Sequence, residues 1–124
     1  MKTLILTLSL ILLAGSGLQA QPGPEAGAWK KMNLSDEQKG ALKDIRANTQ
    51  KQMIDLRASL QKKRVDLRAM MDADNPDRTA FERLNREIAD LQVQQKLLLF
   101  DADREVGRTL DPEQLEQWKE IKER

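Results

Sequence analysis

From Leu34 onward apolar residues return at steps of three and four: Leu34, Leu42, Ile45, Met53, Leu56, Leu60, Leu67 and Met70, with Gln38 and Thr49 on the same stripe. That spacing keeps one side of an α-helix apolar. Within the stretch an eleven-residue unit is written three times, as Asp44-Ile45-Arg46-Ala47, Asp55-Leu56-Arg57-Ala58 and Asp66-Leu67-Arg68-Ala69. Eleven residues in three turns is about 3.67 per turn, so equivalent positions come back to almost the same side of the helix. With Ile45, Leu56 and Leu67 at the centre of the apolar face, each Arg falls about 100° to one flank and each Asp about 100° to the other. The pattern predicts a helix over Asp36–Met71, a rod of roughly 50 Å, or a short helix and a long one if the chain bends near Gly40 or Asn48. Lys63 and Arg64 form a polar interruption near its end.

The punctuation supports these bounds. Leu34-Ser35-Asp36-Glu37-Gln38 is a helix start, with Ser35 as N-cap, two acids in the first turn and Gln38 completing a capping box. Asp72 to Asp77 breaks the periodicity, and Asn75-Pro76 fits an N-cap and first helical position. A calcium loop is a poor reading of these acids, because Asp77 and Arg83 stand where Gly and Glu are required. A second helix is expected from Pro76 to about Arg108, with Leu84, Ile88, Leu91, Gln95, Leu98, Ala102 and Val106 facing inward. A short connection between two long amphipathic helices makes an antiparallel hairpin. Leu97 to Phe100 sweep about 300° of helix circumference, so part of this run must meet a second surface, either in a dimer or on a client. Leu110-Asp111-Pro112-Glu113-Gln114 repeats the first cap and opens a short helix burying Leu115, Trp118 and Ile121.

Composition changes the picture at the N-terminus. Lys2, the apolar run Leu4 to Leu13 and the small residues after it predict a secretory signal peptide over 1–20, followed by a Pro/Gly-rich flexible leader over 21–28. The helical domain is expected over 29–124. With no Cys in the chain, no lipid anchor and no disulfide is available, and the apolar run is too short for stable membrane insertion. Removing Lys2 with the signal leaves 20 basic and 20 acidic residues, a neutral balance that offers nucleic acid nothing. Two Trp, two Phe and no Tyr give few bulky side chains for a globular core, while 33% charged residues suit long helices.

Candidate chemistry is sparse. No His, no Cys and no phosphate-binding loop leave no catalytic residue and no cofactor to name. Zinc, nickel and cobalt sites draw on imidazole or thiolate, so no metal ligand set is assigned; Met32, Met53, Met70 and Met71 are thioethers at core spacing. Arg46, Arg57 and Arg64 have no acid three or four residues away in their own helix. Either Glu82, Glu87 and Asp90 of the second helix, or acids of a partner subunit, neutralise them, or the stripe stands beside Met53, Leu56 and Leu60 as a surface for unfolded chains.

A Leu-Thr-x-x-Gln-like pentapeptide before the first long helix and another before the terminal helix resemble the Spy/CpxP family. The copies place Leu34, Ser35 and Gln38 against Leu110, Asp111 and Gln114, with Ser and Asp in place of Thr. The resemblance spans about Trp29 to Lys122. It implies an all-α protein: a long antiparallel hairpin with short capping helices at both ends, paired into a curved antiparallel homodimer, the motif residues joining the hairpin's ends. It also implies a periplasmic protein, either an ATP-independent chaperone, an adaptor that binds the periplasmic domain of a sensor kinase, or a heavy-metal sensor. The absent imidazole and thiolate count against the last.

Overall fold

The computed structural model describes residues 29–124; the expected signal peptide and leader lie outside the described residues. Three helices follow in order: α1 over Asp36–Met71, α2 over Arg78–Thr109 and α3 over Pro112–Lys122. α1 is a single helix of 36 residues, continuous through Gly40 and Asn48 and about 54 Å long. Its start is the capping box expected at Ser35: the Gln38 N–H donates to Ser35 Oγ at 3.1 Å, and the Ser35 N–H donates to Gln38 Oε1 at 2.9 Å. Asp111 and Gln114 build the same box at α3, with Pro112 in its first turn.

One boundary differs from expectation. The N-cap of α2 is Asp77, whose Oδ1 accepts from the Thr79 N–H at 2.9 Å, and Asn75-Pro76 belongs to the connection. Asn75, Asp74 and Asp77 are all competent caps, and the one whose carboxylate meets a free N–H two residues on starts the helix.

α1 and α2 pack antiparallel, Leu42 sharing a core with Val106 near one end and Leu60 with Leu84 and Ile88 near the other. All seven residues expected on the inner face of α2 are buried or half-buried, and so are Leu34 and the nine stripe positions that lie in α1. The burial is uneven. At the base, α3 and the turn before α1 close over the hairpin, and Met32, Leu42, Val106, Leu110 and Trp118 form a core. Trp29 and Trp118 meet there with ring centroids 5.9 Å apart, tilted by 50°. Towards the connection a smaller cluster of Leu60, Leu84 and Ile88 is flanked by Leu67, Met70 and Leu91. Between the two clusters the protein is two helices thick, and Met53, Leu56, Gln95 and Leu98 stay half-buried. α3 is the expected C-terminal capping helix; of the expected N-terminal one, Trp29 is helical and a turn follows over 30–33, the Met32 N–H donating to the Trp29 carbonyl at 3.2 Å, while the residues before Trp29 lie outside the described residues. The turn ends at Asn33 with φ 55°, a left-handed conformation that Asn tolerates better than most residues. No helix among the described residues is long and apolar enough to cross a membrane.

Candidate functional site

The two pentapeptides come together at the base although 76 residues separate their glutamines. Gln38 Nε2 donates to Gln114 Oε1 at 2.7 Å, and Gln114 Nε2 donates back to Gln38 Oε1 at 3.2 Å. Each amide oxygen also accepts from the N–H of its own helix cap. The spare amide hydrogens reach the backbone, Gln38 to the Thr109 carbonyl at 3.1 Å and Gln114 to the Met32 carbonyl at 3.4 Å. Two capping boxes are thereby locked face to face by a reciprocal amide pair. A primary amide offers both the donors and the acceptor that this pairing uses; a carboxylate would set oxygen against oxygen. Leu34 packs against the base core and Leu110 is buried in it. Ser35, Gln38, Asp111 and Gln114 are fully engaged with one another and with backbone, so these motif residues form a clasp.

The candidate binding residues are not brought together as a stripe beside an apolar floor. Leu60 is 3% exposed in the tip cluster and presents no surface. Leu56 lines a shallow groove of about 370 Å³ with Leu97, Leu98, Asp55 and Asp101. Arg57 is about 200° from Asp55 in helical projection, so the arginines and this groove lie on opposite faces of the two-helix layer. Met53 is half-buried, Arg57 and Arg64 are exposed, and Arg46 is half-buried in a separate cleft at the base.

Nor do the acids of α2 neutralise the arginines. Glu87 pairs with Lys63 at 2.8 Å, Glu82 with Arg86 at 2.7 Å, and Asp90 accepts from Gln94 at 2.9 Å. None of Arg46, Arg57 and Arg64 makes an ion pair among the described residues. Lys63, in sequence a mere interruption of the stripe, is thus a link between α1 and α2. The hydrogen bond from Lys63, and then its charge, hold the Glu87 carboxyl below the usual carboxylate range.

Several large apolar side chains are exposed. Val93, Leu97, Leu99 and Phe100 on α2 and Ile54 and Val65 on α1 are each more than half exposed, and Arg104 sits 5.8 Å from the centroid of the Phe100 ring. The donor set for a heavy metal does not fit a zinc- or nickel-type site: the chain has no His or Cys. Among the described residues no three acids gather in their place.

The family model described as heavy-metal resistance matches residues 3–117. No curated protein and no solved structure matches the chain.

Proposed function

The chain belongs to the heavy-metal resistance family of Spy/CpxP-like helical proteins, and from that premise we propose that it holds unfolded polypeptides in the periplasm, without ATP and without catalysis. The observation that carries this reading is the exposed apolar surface of α2 and the back of α1. Leu97 and Leu99 are about 200° apart on their helix, so no single flat partner covers both. A second copy of the chain, paired antiparallel, takes one side, and the other remains for clients. Arg57 and Arg64, without ion pairs among the described residues, flank the α1 side with mobile cations on flexible stems. Shallow apolar contacts with adaptable charges favour weak, sequence-tolerant binding, and a client leaves when it buries its own apolar surface. Export follows from the signal-like first twenty residues.

The test is suppression of aggregation of a chemically unfolded client without ATP, by the parent and by a Leu99→Ser/Phe100→Ser variant whose helicity is unchanged. Suppression by the parent, reduced severalfold in the variant, is the expected result. A folded parent that does nothing at severalfold excess sinks the reading, and binding to the periplasmic domain of a sensor kinase then becomes the function to pursue.

A further inference from the structure

We propose that the cleft between the Trp29–Leu34 turn and the start of α1 is a binding site for an amphipathic organic anion: an aromatic or alkyl body carrying a sulfonate, phosphate or carboxylate. The open cleft holds about 510 Å³ and is lined by Trp29, Leu34 and four cations, Lys30, Lys39, Lys43 and Arg46, with no acid among the described residues of its walls. That volume falls within the range of small-molecule sites.

Lys39, Lys43 and Arg46 follow at steps of four and three, so three like charges share one side of α1 and repel one another. None of the four cations makes an ion pair among the described residues, including Lys39 with Asp36 three residues before it. Asp44 lies about 200° around the helix from Arg46. A bound anion removes the repulsion. The apolar half of the ligand is set by Trp29, whose ring is fixed against Trp118, and by Leu34. Arg57, the nearest arginine of the client surface, is eleven residues and about 16 Å further along α1, so the cleft is a separate site and does not depend on client binding.

Calorimetric titration with naphthalene-1-sulfonate tests the site, with Trp emission as the local readout because Trp29 and Trp118 are the two tryptophans of the chain. Saturable binding is expected, about tenfold tighter than for 1-naphthylmethanol and about tenfold weaker in a Lys39→Gln/Lys43→Gln variant of unchanged helicity. An Arg57→Ser/Arg64→Ser variant should bind as the parent does. The proposal is overturned if the neutral alcohol binds equally well, if the lysine variant keeps its affinity, if inorganic phosphate competes as strongly as the sulfonate, or if no saturable binding occurs.

Discussion

The base of the hairpin and its middle are made from the same two helices with the same apolar spacing, yet they end in different physical states. At the base a third layer, α3 and the Trp29–Asn33 turn, covers the seam, and Leu42 is 1% exposed. In the middle each helix has one neighbour, and Leu56, on the same stripe of α1, stays half-buried beside an open groove. Amphipathic periodicity specifies which side of a helix is apolar; burial depends on how many elements meet there. The contrast assigns stability to the base and leaves the middle and the outer side of α2 open to solvent.

The comparison breaks first at these two leucines. Leu42→Ala should cost about 2–5 kcal/mol, the range for truncating a well-packed core side chain. Leu56→Ala should cost roughly 1 kcal/mol or less, since much of its side chain already meets water. Urea unfolding of both variants measures the difference. Similar losses would mean that the middle is covered in solution, as by a second copy, and repeating the measurement at several protein concentrations separates that case.

The clasp gives the next largest effect. Gln114 is buried and joined to Gln38, the Asp111 N–H and the Met32 carbonyl. Gln114→Ala should cost about 1–3 kcal/mol by leaving those partners unpaired in the interior. The double-mutant cycle with Gln38→Ala sharpens the point, with a coupling of about 0.5–3 kcal/mol expected for residues in one hydrogen-bonded network. Additive losses would show that the two caps act independently and that the amide pair closes nothing.

What was legible in the sequence follows from the range of each interaction. The capping boxes at Ser35 and Asp111 are closed by residues three apart, so the pentapeptides alone announce them. The inner faces of α1 and α2 are legible for the same reason, periodicity being local. α2 starts two residues beyond the expected position because three competent caps stand within four positions, and geometry chooses among them. The clasp between Gln38 and Gln114 joins residues 76 apart; family resemblance pointed to joined ends, but no spacing rule specifies an amide pair. Least legible was the proposed client surface. Helical angles place Arg57 and Asp55 on opposite flanks of α1, but which flank shares a face with Leu97 depends on how α2 docks. Register decided likewise that Glu87 meets Lys63 and not an arginine. The cleft did leave a trace in Lys39, Lys43 and Arg46 at helical spacing, but its wall needs Trp29 folded back against the start of α1.

The smallest effect probes the junction of the middle and the tip, where Lys63 and Glu87 bridge the helices at 2.8 Å with side chains 31% and 44% exposed. A pair this open to solvent is screened and contributes little, so its signature is pH dependence more than magnitude. The Lys63 hydrogen bond and charge, with a smaller contribution from Arg83, depress the Glu87 carboxyl in the folded chain, and slight desolvation opposes them. A group with a lowered folded pKa binds protons more tightly in the unfolded state. Its contribution is therefore present above the ordinary glutamate range and is lost as pH falls through the depressed value. Glu87→Gln should lower the urea midpoint slightly at neutral pH, and the difference from the parent should close in acid. Lys63→Met should weaken the pH dependence of that difference, because the larger causes of the depression are removed and only the smaller one from Arg83 remains. A deficit that persists unchanged into acid would instead trace the effect of Glu87→Gln to packing against α1, and the middle of the hairpin would then have no charge link of its own.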